Sequence, residues 1–188
     1  MKIKSILWAV ATAATLLGST YMSQAQTKEK TVMVGGAPMY PSKNIIENAV
    51  NSKVHTTLVA AVKAAGLVET LQGPGPFTVL APTNDAFAKV PKETLNNLMK
   101  PENKAQLTSI LTYHVIPGKW SAPQIVQAIK VGKGTYVTKS VQGGDLNFWM
   151  KGKDVYVKDA KGNSAKVTVA DVNQSNGVIH VIDAVLMP

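Results

Sequence analysis

The sequence predicts an α+β fold, because the spacing of its apolar residues changes once along the chain. Between residues 42 and 130 these residues recur every three or four positions, as on one face of a helix, and from residue 135 onward they alternate as in strands. Of the 188 residues, 45% are hydrophobic and 16% are charged, which is typical of a globular domain rather than a disordered chain. Helices come first and strands later, so we expect a β-sandwich or wedge that carries the helices.

The first 25 residues have the features of a secretory signal peptide. Lys2 and Lys4 give a cationic start, residues 5–20 are mostly apolar, and Ser23 and Ala25 stand three and one positions before a predicted cleavage site. The alternative is a retained membrane anchor, but the apolar stretch is shorter than the ~20 residues that span a bilayer. We therefore expect export to the periplasm or the medium, with no membrane span in the mature chain.

Residues 26–41 are polar, then rich in glycine and proline, and are predicted to be a tail or linker before a domain at 42–188. Within the domain, capping residues and prolines mark where helices begin, and Gly66 is a natural helix end. The predicted helices and helical turns begin at Ser42, Thr56, Thr83, Pro91, Pro101 and Ser121.

Strands are predicted from short apolar runs and from alternation. The segment 77–81 is a short buried strand that Pro82 ends, and the Lys161-Gly162-Asn163 segment indicates a hairpin. The run 178–186 is apolar on both faces and is expected to be a central strand. The other predicted strands cover 135–138, 145–150, 154–158 and 166–172.

Composition excludes several classes of function. The chain has 20 lysines, no arginine and 11 acidic residues, a formal net charge of +9. Nucleic-acid recognition favours the arginine fork, and the lysines are spread singly, so no nucleic-acid partner is expected. The basic surface is interpreted as solvated, with weak attraction to anionic polysaccharide or lipid as the alternative. Without cysteine, the chain forms no disulfide scaffold, thiolate zinc site or cysteine nucleophile.

The usual catalytic and metal-binding motifs are also missing from the sequence, so we predict no catalytic residue, no metal and no cofactor. There is no His-Glu-x-x-His, no Gly-x-Ser-x-Gly and no phosphate-binding loop. His114 shares a helix face with Leu107 and Leu111, so a neutral buried imidazole bonded to the backbone or to a carboxylate is expected, with a general base as the alternative. Tyr113 lies on another face and is expected to close one edge of the core. Trp149, if exposed on its strand, indicates a sugar or partner contact.

Three blocks of the sequence resemble the fasciclin-like (FAS1) domain family. They are FTVLAPTNDAF at 77–87, LTYHV at 111–115 and NGVIHVID at 176–183. The three together, in this order and spacing, are highly specific, and the resemblance covers about residues 42–188. It implies a wedge-shaped β-sandwich of antiparallel strands decorated with several short helices. It also implies an extracellular or periplasmic adhesion module without catalysis or a required cofactor, with an extracellular protein or glycan as its partner.

The resemblance also implies roles for individual residues. Tyr113 and His114 match a motif implicated in adhesion and in folding. Asp171 and Val172 stand where family members carry an Asp-Ile pair proposed as an integrin contact, with valine here in place of isoleucine. The remaining motif positions are implied to be structural: Thr78, Pro82, Thr83, Asn84, Asp85, Phe87, Asn176, Gly177, His180 and Asp183.

Our first hypothesis is therefore a non-enzymatic exported domain that mediates adhesion to, or interaction with, a protein or glycan. The second is a periplasmic small-ligand-binding protein with an apolar cleft lined by Trp120, Trp149 or Tyr136. The third is a hydrolase that uses His114 or His180 with a nearby aspartate.

Overall fold

In the computed structural model, residues 29–188 are described, and the predicted signal peptide at 1–25 lies outside them. The strands are β1 Val32–Val34, β2 Ala37–Met39, β3 Phe77–Pro82, β4 Val115–Pro117, β5 Thr135–Lys139, β6 Asp145–Lys151, β7 Asp154–Lys158, β8 Ser164–Gln174 and β9 Gly177–Ile182. The helices are α1 Ile45–Ala49, α2 Thr56–Ala65, α3 Val68–Gln72, α4 Asn84–Ala88, α5 Lys92–Leu98, α6 Lys104–Tyr113 and α7 Ala122–Val131. A 3-10 turn at Pro101–Asn103 precedes α6.

Seven of the strands form one sheet in the order β4-β3-β9-β8-β7-β6-β5. This confirms the predicted α+β class, and the sheet is antiparallel except for one pair, since β3 and β9 run parallel. All six residues of β9 are buried, as expected of a central strand, although β9 ends at Ile182 rather than at residue 186. The two edges of the sheet approach each other, because the Val141 N–H beyond β5 donates to the Val115 carbonyl of β4 at 2.7 Å.

Two hydrophobic clusters lie on opposite sides of the central strands, because alternating residues of a strand point to opposite faces. Val79 and Ile179 belong to the first cluster, the helical core, which buries the apolar faces of α1–α6. Leu80 and Ile182 belong to the second, the sheet core, which fills the space between β3, β4 and β9 on one side and β6–β8 on the other. The inner face of α7 closes the sheet core.

Local sequence signals account for most helix boundaries. The Thr83 hydroxyl accepts a hydrogen bond from the Ala86 N–H at 3.2 Å and begins α4. Gly66 ends α2 with φ +74°, a conformation in which glycine pays no steric penalty. The predicted cap at Ser42 is wrong, because Asn44 begins α1: its side chain accepts from the Glu47 N–H, and the Glu47 carboxylate accepts from the Asn44 N–H.

The predicted tail at 26–41 is corrected in part by the structure, because β1 and β2 form a hairpin that packs on the helical core. Val34 and Met39 are 5% and 3% exposed. The folded unit therefore begins before residue 42. Strands of three residues are too short for alternation to reveal, and for the same reason the sequence does not predict β4.

Candidate functional site

The first and third sequence motifs meet on the parallel pair β3–β9. A Cβ on Gly177 would stand 2.0 Å from a facing backbone oxygen of β3, so this position requires glycine. The neighbouring Asn176 donates through Nδ2 to the carbonyls of Leu71 and Gly73, at 2.8 and 3.0 Å. Its Oδ1 accepts from the Ile45 N–H at 3.1 Å. Asn176 thus ties β9 to α1 and to the end of α3.

Two side chains of the first motif also join separate elements. Asn84 accepts through Oδ1 from the Thr57 N–H at 3.0 Å and donates through Nδ2 to the Lys53 carbonyl at 3.0 Å, so that it caps α2 from α4. Thr78 is fully buried, and its hydroxyl accepts from the Trp120 N–H at 2.8 Å. These side chains satisfy backbone groups that would otherwise be buried without partners.

The other motif positions that the resemblance implied to be structural each support a nearby part of the fold. Pro82 ends β3, and Phe87 is 6% exposed in the helical core. Asp183 accepts from the Lys166 N–H at 2.7 Å, which ties the end of β9 to β8. Asp85 is exposed in the first turn of α4, where a carboxylate complements the helix dipole.

Tyr113 and His114, which the resemblance linked to adhesion, are both buried, with exposures of 0% and 3%. The Tyr113 hydroxyl donates to the Asp145 carbonyl at 2.6 Å and accepts from the Ala160 N–H at 3.0 Å. Burial raises the pKa of this hydroxyl, so it stays protonated. Neither side chain lies on the surface, which corrects the expectation that this pair touches a partner directly.

His114 is a neutral core histidine bonded to backbone groups, as its helical spacing predicts. Its Nδ1–H donates to the Ile110 carbonyl at 2.8 Å, and its Nε2 accepts from the Leu186 N–H at 3.0 Å. Burial lowers the pKa of His114 to about 4, since a charged imidazole loses its hydration there. The residue fastens the C-terminal segment to α6.

His180 has the same character. Its Nε2–H donates to the Trp120 carbonyl at 2.7 Å, and its Nδ1 accepts from the Asp171 N–H at 3.3 Å. Burial lowers the pKa of His180 as well. Because both nitrogens of His114 and of His180 are engaged by backbone groups, neither ring is poised as the base of a hydrolase.

The Asp171–Val172 pair is also part of the framework, which corrects the expectation of an exposed contact there. Val172 is 1% exposed and belongs to the helical core. Asp171 has φ +57°, and its Oδ1 accepts from the Ala122 N–H at 2.7 Å, so its carboxylate caps the N-terminus of α7.

Sequence reasoning missed several buried polar side chains, among them Asp159 and Asn48. Asp159, 5% exposed, accepts from the Asn163 N–H at 2.8 Å and from the Met187 N–H at 2.9 Å, so it holds both a hairpin turn and the C-terminal segment. Asn48, fully buried, bonds to the Tyr40 backbone and to the Gln174 side chain. An asparagine on the apolar face of a predicted helix was the available signal for Asn48; Asp159 had none beyond its position before a turn.

A groove between α7 and β5 is the concave surface feature that best fits a binding site. Its volume is about 700 Å³ and it is open to solvent. Trp120 and Tyr136 both line it, with their ring centroids 5.3 Å apart, as the cleft predicted from these aromatic residues requires. Trp149 is not part of this groove. The lining residues are Trp120, Pro123, Gln124, Gln127, Ala128, Val131, Gly132, Thr135, Tyr136 and Val137.

Two valines of the groove lie uncovered at the surface. Val131 is 74% exposed at the end of α7, and Val137 is 54% exposed on β5. The α7 side of the groove is held in place, because Ile125 and Ile129 are buried in the sheet core and Asp171 caps the first turn of the helix. The groove is therefore preformed, and binding in it requires little ordering of the protein.

Within residues 29–188, no three His, Asp or Glu side chains come together as a metal site would need. No helix in that part of the chain is both long enough and apolar enough to cross a membrane.

The chain is similar in sequence to one family of domains and to several known proteins. A family model described as the Fasciclin domain matches residues 53–188. Protein sll1483 of Synechocystis is 48% identical over 167 residues, which cover 89% of this chain and 86% of that protein. Immunogenic protein MPB70 of Mycobacterium bovis is 37% identical over 145 residues, covering 74% of this chain and 66% of that protein.

The fold is shared with a solved structure, the FAS1 domain pair of the insect cell adhesion molecule fasciclin I. The TM-score is 0.70 at 15% sequence identity, and the match covers 86% of this chain and 59% of the insect chain.

Proposed function

The chain belongs to the fasciclin domain family, and on that premise we propose that it is an exported, non-enzymatic module for adhesion to an extracellular protein or glycan. Export rests on the predicted signal peptide at 1–25. It accords with the name of a relative from Mycobacterium bovis, the cell surface glycolipoprotein MPB83, which is 39% identical over 145 residues. The module acts in the periplasm or the medium, and the partner binds in the α7–β5 groove.

The exposed apolar and aromatic lining of the groove is the observation that carries this proposal. Trp120 and Tyr136 offer ring surface, and Val131 and Val137 offer aliphatic surface that the fold leaves uncovered. Gln124 and Gln127 add amide groups on the same helix. Apolar surface with a few polar groups suits a sugar ring or an extended peptide.

The test is binding of residues 26–188 to an array of glycans and extracellular proteins at two salt concentrations. The double variant Val131→Gln/Val137→Gln should weaken binding by about tenfold or more, because each valine buried on binding contributes on the order of 1 kcal/mol. Val50→Gln is the matched control, since Val50 is 49% exposed and lies at the end of α1.

A specific signal that survives added salt and depends on the two groove valines supports the proposal. Equal binding by the groove variant and the Val50→Gln control contradicts the groove. Absence of binding across the array contradicts adhesion itself.

The concave shape of the same groove favours a second candidate, a small-ligand-binding protein of the periplasm. The internal cavity beside His55 does not serve this purpose, because its volume of about 40 Å³ is too small for a metabolite. A metabolite screen by thermal shift tests this candidate: a ligand that raises the Tm of the wild type but not of Val131→Gln/Val137→Gln supports it.

A further inference from the structure

We propose that the outer face of β5–β8 binds a linear acidic polysaccharide. This inference rests on the proposed function, because it names a partner chemistry for the same exported module, but it uses a surface that meets the groove only along β5, at Thr135 and Val137. The outer face consists of the outward side chains of four neighbouring strands: Thr135, Val137 and Lys139 of β5, Asp145, Asn147, Trp149 and Lys151 of β6, Asp154, Tyr156 and Lys158 of β7, and Ser164 and Lys166 of β8.

The positive charge of the protein is concentrated in this region. The segment 130–166 has eight lysines and three aspartates, a net charge of +5. The rest of residues 29–188 has nine lysines and eight acidic residues, a net charge of +1. Four of the eight lysines, Lys139, Lys151, Lys158 and Lys166, are brought onto the outer face by the folding of four strands into one sheet. With Asp145 and Asp154 on the same face they leave a net charge of +2, which attracts anions.

The lysines of these strands point outward, because successive side chains of a strand lie on opposite faces of the sheet. On the inner face, Leu146, Phe148 and Val157 are fully buried in the sheet core, so their neighbours along β6 and β7 face solvent. Lys151 and Lys158 are exposed and have no carboxylate partner among residues 29–188. The two aspartates on this side each pair with a lysine.

Those ion pairs are exchangeable. Lys139 bonds to Asp145 at 2.9 Å and Lys166 to Asp154 at 2.7 Å, and all four side chains are at least 36% exposed. Exposed pairs of this kind contribute little to stability, so a carboxylate or sulfate of a ligand can replace the protein's own aspartate at small cost.

A pair of aromatic rings stands among the lysines. Trp149 and Tyr156 face each other on β6 and β7, with ring centroids 4.8 Å apart and planes 22° from parallel. Both are half-buried, so part of each ring remains accessible. In the sheet register they lie between Thr135 on one side and Lys166 on the other. A ring next to a cation suits an acidic sugar, whose C–H face packs on the ring while its anionic group meets the ammonium.

The same observations argue against other polyanions. Nucleic-acid readers depend on arginine for bidentate phosphate and base contacts, and this chain has none. A protein that binds a membrane surface presents apolar side chains that enter the lipid. Here the two aromatic rings have lysine, asparagine and threonine side chains as their neighbours on the sheet. A face that extends across four strands and carries dispersed lysines fits a flexible chain whose charges recur along its length.

The test measures the affinity of residues 26–188 for polygalacturonate, which carries carboxylates, and for dextran sulfate, with neutral dextran as the blank. Reversing the two unpaired charges in Lys151→Glu/Lys158→Glu should weaken binding by about tenfold or more at low ionic strength. The matched control is Lys92→Glu/Lys100→Glu on and beside α5, which changes the net charge by the same amount at two exposed sites of the other half. We expect it to weaken binding by roughly twofold.

A second variant separates shape from charge. Trp149→Thr keeps a residue that favours strands but removes the ring, and its effect should persist in high salt, because contact between a ring and a sugar is not screened. A thermal melt of each variant confirms that it folds. The preferred probe, carboxylated or sulfated, identifies the anionic group.

Three results would overturn the proposal: equal weakening by the two lysine pairs, tighter binding to duplex DNA or to anionic vesicles than to either polysaccharide, or no binding to either polysaccharide at low salt. Failure of the proposed function is distinguishable, because Val131→Gln, which changes the groove on α7 and not the outer face, should leave polysaccharide binding unchanged. Array binding that is equal in the wild type and the groove variant, with polysaccharide binding intact, defeats the groove alone.

Discussion

Around the helical core, many polar side chains are buried and bonded to backbone groups, whereas the charged side chains on the outer face of β5–β8 are exposed or half-buried. Asn176, Asn84 and His114 each join elements that are distant in sequence. Lys151, Lys158 and Trp149 belong to the other region and make no comparable tie. The residues of the sequence motifs lie mainly in the first region, and the surface that we propose for the polysaccharide lies in the second.

This difference has a physical reason. A buried polar group must be satisfied, so its partner and position are fixed by the fold, and a substitution there costs stability. An exposed lysine is satisfied by water and leaves the fold nearly unchanged when it is replaced. Motif residues therefore report on how the domain is built, and the surface that contacts a partner is found from exposure, charge and shape.

The largest effect is expected at Tyr113. Tyr113→Ala removes a fully buried ring from the sheet core and should lower the free energy of unfolding by about 4 kcal/mol. Tyr113→Phe, the control, keeps the ring but leaves the Asp145 carbonyl and the Ala160 N–H without their partner, and should cost about 1–2 kcal/mol. Urea denaturation measures both. A stable Tyr113→Ala protein that has lost binding would instead make this residue part of a contact surface.

The next effect is a dependence of stability on pH through His114. Its pKa is about 4 in the folded protein and 6.5 without burial, so between these values the unfolded chain binds more protons. The stability is complete above about pH 6.5 and falls by about 3 kcal/mol as the pH is lowered to 4. The lowered pKa values of His55 and His180 act in the same direction.

Urea titrations between about pH 7.5 and pH 4 measure this slope. His114→Gln has no titrating ring and should flatten the slope. An equal slope in wild type and variant would show that His114 does not carry the effect.

A smaller effect is expected at Asp171, on the border between the two regions. Asp171→Ala removes the carboxylate that caps α7 and should lower the free energy of unfolding by about 1–2 kcal/mol. Asp171→Asn retains an oxygen acceptor and tolerates a positive φ, so it should cost about half as much. A change in the free energy of unfolding below about 0.3 kcal/mol in the alanine variant would show that the Asp171 carboxylate does not stabilise the fold.

The smallest effect on stability is expected on the outer face. Lys151→Glu/Lys158→Glu should change the free energy of unfolding by less than about 0.5 kcal/mol, because both side chains are exposed and have no carboxylate partner in the described part of the chain, residues 29–188. Thermal denaturation measures this, alongside the loss of polysaccharide binding. A large loss of stability would show that these lysines support the fold, as the buried polar residues do, and would contradict the difference between the two regions.

Most of the element order was predictable from sequence, because the deciding signals are local. The cap at Thr83, the stop at Gly66 and the alternation along β6 act through neighbouring residues and were read correctly. The hairpin β1–β2 and strand β4 were missed, since each strand has three residues and gains its stability from the core it packs on. The aromatic groove was anticipated through Trp120 and Tyr136, but not its valines.

The sequence by itself determined the fold class, the positions of most helices and strands, and the burial of His114, because hydrophobic periodicity and capping chemistry act over a few residues. Tertiary structure decided the parallel pairing of β3 with β9, the use of Asp171 as a cap for a helix 49 residues away, and the gathering of scattered lysines on one face. These three features depend on which distant segments pack together. The packing is determined by the total apolar surface buried in the two cores rather than by any one residue.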